Sequence, residues 1–237
     1  MVICGMINTL DNGRENKDMH FQFLLEDKSG GILIKQVMAK LIAIRTDITC
    51  DYKTFRGIGG FKKKWAPDTA KTQKLLNDLP IFLRGYDKSL NVPGYEAALI
   101  IVLDNDRNDP SEFQKNLEDI AKAHMISIDH VFCVAVEEME AWLLGDRNAV
   151  LKAYPNAKTS ILNDYEQDSI CGTWEKLAGA VYPGGVAKFR KDNKTYQDIG
   201  KHKCEWAQKI GKHMDIHNNC SPSFQCFVTA IEERFPA

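Results

Sequence analysis

The chain has 237 residues, with 31 Lys and Arg against 32 Asp and Glu, a formal net charge of −1, and 44% hydrophobic residues. This balance excludes a disordered chain and wholesale electrostatic capture of nucleic acid, and the length is enough to bury a sizeable core. No apolar run approaches the ~20 residues that span a bilayer, and the apolar residues 1–7 lack a basic leader, so a cytoplasmic protein with no membrane partner is expected.

Residues 1–20 form an N-terminal extension with a polar, turn-rich stretch at 11–17. The run FQFLLE, 21–26, reads as a strand ending in Glu26. A turn follows at 27–31, with Ser29 expected to cap an amphipathic helix over 32–41. Residues 48–52 read as a second strand, followed by a basic, glycine-bearing loop at 56–64 and a helix over 69–84. The run AALIIVL, 97–103, is apolar on both faces, as expected of a central strand covered on both sides, and leads into Asp104-Asn105-Asp106. Asp109 caps a helix that opens on Pro110 and reaches about 123. A fourth strand, 130–136, enters the acidic segment 137–146. Strands alternating with helices predict an α/β, Rossmann-like, mostly parallel sheet with helices on both faces over 21–153. From 154 to 237, Pro, Gly and Asn clusters separate helical pieces without a convincing strand, predicting a helical C-terminal region.

Seven cysteines with no CxxC pair read as reduced thiols, Cys133 lying in the core. Cys204, His213, His217 and Cys220 lack zinc-site spacing, and Asn218-Asn219 interrupts a shared helical face, so they are read as uncoordinated.

Three strand ends carry carboxylates: Glu26, then Asp104 and Asp106, then Glu138 and Glu140. Ligand sites of open parallel sheets gather at the carboxyl ends of strands, so these five side chains are expected to converge. Such a cluster needs a counter-charge or must hold protons, and hard oxygen donors suit Mg²⁺ or Mn²⁺. Individually the acids have structural readings: Glu26 as a solvated strand end, Asp104 and Asp106 as partners of Arg107, and Glu137 at a helix N-terminus. Because Asp109 already fills the capping role, the Asp-x-Asp pair is left without a structural task. The metal reading rests on the clustering.

The segments LLEDKSGG, FRGIGGFKK, IIVLDNDR, AVEEMEAWLLGDRNAVLKAYP, GTWEKL and NNCSPSF resemble a bacterial domain-of-unknown-function family, the DUF4276 type, placed in the TOPRIM group with topoisomerases, primases and nucleases of the overcoming-lysogenization-defect type. The resemblance covers 21–227. It implies that Glu26 matches the TOPRIM glutamate, a general acid/base or metal ligand, that Asp104 and Asp106 match the metal-binding pair, and that Glu138 and Glu140 match the acids of the EAW motif. One departure is Asp27-Lys28, which separates Glu26 from the small-residue turn. The resemblance further implies a Mg²⁺- or Mn²⁺-dependent nuclease acting on DNA ahead of RNA, serving in phage defence beside an AAA- or ABC-type ATPase, with homo-oligomerisation open. The alternative from another class is a non-catalytic regulatory subunit of such an ATPase; a third is another phosphotransfer reaction in the same cleft.

For phosphate contacts, Lys62, Lys63 and Lys64 stand beside glycines and are taken as substrate-binding. Residues 188–194 and 201–212, with Phe189, Tyr196 and Trp206 interspersed, form a second basic region better read as solvated surface. Two placements would remove the nuclease reading: Glu26 on the far edge of the sheet from Asp104, or a lysine or arginine permanently neutralising the pocket.

Overall fold

A computed structural model describes residues 18–61, 72–167, 169 and 172–236. Lys62, Lys63 and Lys64, and the expected start of the helix at 69, lie outside the described residues. Strands β1 (Met19–Leu25), β2 (Ile48–Thr54), β3 (Glu96–Asp104) and β4 (Asp129–Ala135) form one all-parallel sheet in the order β2-β1-β3-β4. The architecture is α/β and Rossmann-like.

The two-residue alternation of strands sorts their side chains to two faces. Phe21, Phe23 and Leu25 join Ala98, Ile100, Val102, Cys133 and Ala135 in one core, whereas Leu24 joins Leu99, Ile101, Leu103 and Phe132 in the other. Helices α2 (Leu75–Leu90) and α3 (Pro110–Ala123) cover the second face. The first face is covered by α1 (Lys28–Leu41) and by helices from the C-terminal part of the chain. Both faces of β3 are therefore dry, which is why its sequence is continuously apolar.

Two helix starts differ from the expectation. The cap of α1 is Asp27, which accepts from the Gly30 N–H at 2.7 Å, while Ser29 sits inside the first turn and donates to Asp27 at 2.7 Å. Strand β1 ends at Leu25, so the chain turns at once and the earlier of two good capping residues is used. Helix α2 starts at Leu75 and runs past Arg84 and Gly85, because Tyr86 and Leu90 prolong its core-facing stripe. Asp109 and Pro110 open α3 as expected.

Beyond β4 every described element is helical: α4 (Glu140–Leu144), α5 (Arg147–Ala153), α6 (Thr159–Asn163), α7 (Thr173–Val181), α8 (Gly185–Asp192), α9 (Tyr196–Gly211) and α10 (Pro222–Glu232). Helix α9 lies along α1, where Gln36 donates to the Ala207 carbonyl at 2.8 Å and Lys40 to that of Gly211 at 2.9 Å. A Cβ on Gly211 would come within 3.1 Å of Leu33 and Gln36, so glycine sets this close approach. Helix α10 packs on β4 and closes around Trp142 of α4. The Trp142 indole N–H donates to Ser223 at 2.9 Å, Asn219 donates to the Trp142 carbonyl at 2.7 Å, and Phe224, edge-on, and Phe227, tilted, each lie 5.3 Å from the Trp142 ring. The EAW and SPSF segments are thus one packing unit.

Candidate active site

The strand order places a topological switch point between β1 and β3, since the chain leaves β1 toward β2 on one side and β3 toward β4 on the other. The acids assemble there. Leu25 is in register with Val102, so Glu26 emerges beside the end of β3, and its Oε2 accepts from the Asp104 N–H at 3.0 Å. Asp104 is in register with Ala135, and its Oδ1 accepts from the Met139 N–H at 2.9 Å. Asp106 N–H donates to the Glu137 carbonyl at 2.8 Å. Both residues are left-handed, with φ of 50° and 67°, a costly backbone for side chains of this size that places the ends of β3 and β4 against each other. Glu138 reaches the start of α7, accepting from the Thr173 hydroxyl at 3.0 Å and the Trp174 N–H at 3.1 Å.

Glu140 is buried and meets Lys203 of α9 at 2.9 Å, as an ion pair off the ideal hydrogen-bond direction. Lys203 is mostly buried, with a side-chain exposure of 17%. Burial disfavours its ammonium, but Glu140, Glu138 and Asp104 outweigh that and hold its pKa above the usual lysine value. The acids move the other way. Burial pushes Glu26 up to about 7, against the opposing pull of the Asp104 N–H and of Lys203, with Asp27 and Asp106 adding to the rise. Asp104 is raised well above the ordinary range by burial and then by Glu26; Asp106 is raised by burial and then by Glu138. Glu140 is raised by burial despite Lys203.

The structure therefore brings Glu26, Asp104, Asp106, Glu138 and Glu140 to one end of the sheet, Glu26 beside Asp104. The second basic region is solvated at Lys188, Arg190, Lys191, Lys194, Lys201, Lys209 and Lys212, as expected, with one exception: Lys203 points into the cluster. Phe189 and Trp206 are buried beneath it. The signal was present: Ile199, Lys203, Trp206 and Ile210 recur at helical spacing, so Lys203 belongs to the inward stripe of α9. One lysine does not balance the acids around it. Glu26, Asp104 and Glu138 each have one oxygen committed to an N–H or hydroxyl of a described residue. Such hard oxygen donors with excess negative charge suit a divalent ion. As placed, however, no group of three or more His, Cys, Asp or Glu side chains among the described residues could hold a metal ion, at this site or at the Cys204–His213–His217–Cys220 set. The donor chemistry fits Mg²⁺ or Mn²⁺, but the acids do not stand as a closed ligand set.

Beside the cluster is a cleft of about 450 Å³ lined by Asp106, Arg107, Asn108, Glu138, Trp174 and Glu175. Its position lets a ligand reach Asp106 and Glu138 while Arg107 offers a cation.

The profile of one family, described as a domain of unknown function, matches residues 25–232, from the last residue of β1 to the last of α10. The chain belongs to the DUF4276 family. No curated protein and no solved structure matches it. The DUF4276 match contains all five acids, Lys203 and the Trp142–Ser223 unit. No helix among the described residues is long and apolar enough to cross a membrane.

Proposed function

We propose that this DUF4276 protein is a Mg²⁺- or Mn²⁺-dependent phosphodiester hydrolase of TOPRIM type, with nucleic acid, DNA ahead of RNA, as substrate. The observation that supports it is the Glu26–Asp104 contact of 3.0 Å at the switch point, inside an acid cluster that one lysine leaves undercompensated. Glu26, Asp104 and Asp106 would hold the ion, with Glu138 at the border of the cleft. A divalent ion in such a site supplies Lewis acidity and a water of lowered pKa. Without the ion, burial raises the Glu26 pKa to about 7, so binding a divalent ion there would release a proton near neutral pH. Glu140 orients Lys203, whose ammonium faces the same cluster. A role in phage defence beside an AAA- or ABC-type ATPase belongs to the same proposal.

The test is supercoiled plasmid with Mn²⁺, with and without such an ATPase and ATP. Nicking that falls at least about 100-fold in Asp104→Ala is expected. Absence of cleavage in every condition, or an Asp104→Ala variant equal to wild type, overturns the proposal. The Lys203–Glu140 pair favours a second reading, in which a built-in cation has replaced the metal and the fold serves as a docking subunit of the ATPase. That reading predicts a stable complex whose activity is indifferent to Asp104→Ala.

A further inference from the structure

A second concavity, about 670 Å³, lies between α1, β2 and the start of α2. Its charged lining is one-sided: Lys28 and Lys35 from α1, Lys53 from β2, and Arg56 just beyond it, all exposed. Among the described residues the only acid in the lining is Asp78, and it is buried and spent on the Thr72 N–H, the Thr72 hydroxyl and the Gln73 N–H at 2.8–3.1 Å. None of the four cations is in an ion pair with a described residue. The cationic surface of α8 and α9 is different: Lys188 pairs with Asp192, Arg190 with Glu175, and Lys209 with Glu205. In a protein of net charge −1, four cations that pair with no acid among the described residues and share one concavity are a segregated charge, which like-charge repulsion disfavours unless an anion is bound.

The arrangement is linear. Lys28, Ile32 and Lys35 lie at i, i+4 and i+7 on one face of α1, a row about 10 Å long. Lys53, near the end of β2, and Arg56, in the bend after it, line the same groove. Phe55 and Phe82 line it, with the Lys53 ammonium 5.7 Å and 5.2 Å from their ring centroids. A row of separate cations matches an extended chain of phosphates better than a single small anion, whereas the rings under Lys53 belong to the core, Phe55 being only 6% exposed. The groove also ends at the acid cluster. Lys28 is two residues from Glu26, and Gly57, next to Arg56, donates its N–H to the Glu26 carbonyl at 2.9 Å.

We infer that this groove holds the phosphodiester backbone of a single nucleic-acid strand and leads it to the Glu26–Asp104 site, an assignment that rests on the hydrolase reading for the direction of the strand but not for its binding. The test is fluorescence anisotropy of a labelled single-stranded oligonucleotide of about 20 nucleotides with the full chain in EDTA, where cleavage is off. Four phosphate contacts predict a log–log salt slope of about −3, and Lys53→Glu with Arg56→Glu should cut affinity at least about 10-fold and bring the slope to about −1.5. Lys28→Glu with Lys35→Glu should act in the same direction. Lys191→Glu with Lys194→Glu, at the end of α8 and outside the groove lining, should change little. Failure of the wild type to bind, groove reversals no stronger than this control, or binding of ATP without the oligonucleotide each overturns the inference. Oligonucleotide binding that survives Asp104→Ala, with no cleavage by wild type in Mn²⁺, leaves the groove standing and sinks the hydrolase reading alone.

Discussion

Glu26 owes its raised pKa to where β1 stops. Its carboxyl is carried out of water, and Asp27 and Asp106 add repulsion, so the charged form is disfavoured and the pKa rises to about 7 although the Asp104 N–H favours the carboxylate. A carboxyl whose pKa is raised on folding contributes stability that is fully present below its ordinary value, 4.5, and lost as pH rises through about 7. The metal-free protein should therefore lose stability across that window. Glu26→Gln keeps an acceptor for the Asp104 N–H but carries no charge, so it should match wild type at about pH 4.5 and exceed it at pH 8, by on the order of 1–3 kcal/mol. Urea unfolding in EDTA at the two pH values reads this directly; equal stabilities at pH 8 would show that Glu26 is not strained by its neighbours. The positions of Glu26, Asp104 and Glu138 at strand ends were legible from the sequence, because each follows an apolar run. The left-handed backbones of Asp106 and Glu137 were not, since no glycine marks them.

Among the elements, the strands were the most legible, because alternating or continuous apolar runs report burial directly. Helix starts were less so: Asp27 and Ser29 are both competent caps, and the choice depends on how soon β1 ends. The turn after α4 shows how a short element is held by distant chain. A Cβ on Gly145 would lie 2.1 Å from the Asn219 side-chain oxygen and 3.0 Å from the Ser221 backbone nitrogen. Gly145→Ala must therefore displace Asn219, which bridges the Trp142 carbonyl and the Ser221 N–H. A loss of about 1–3 kcal/mol is expected in chemical denaturation, from overpacking and a broken buried hydrogen bond. Because Gly145 touches none of the five acids, Mn²⁺ affinity at a temperature where the variant is folded should stay unchanged.

At the scale of the whole molecule, α9 joins the C-terminal helices to the chemistry of the sheet. It packs on α1 through Trp206, Ala207 and Ile210, and one turn earlier the same stripe delivers Lys203 to Glu140. Lys203→Met leaves Glu140 buried without a counter-charge and should cost about 3–5 kcal/mol near neutral pH. Adding Glu140→Gln removes the orphaned charge and should restore most of it, which a double-mutant cycle measured by thermal unfolding would show. If Lys203→Met were neutral, Glu140 would be protonated in the native protein and the pair would not be ionic.

Composition and periodicity alone determined that this chain forms a parallel α/β sheet with a helical C-terminal part, and that its acids gather at strand ends, because both follow from which residues must leave water. Tertiary structure decided which acids touch, that Glu26 and Asp104 share the switch point, and that a lysine from α9 stands among them. Those facts depend on strand order and on helices packing across large sequence separations, and no local pattern encodes either.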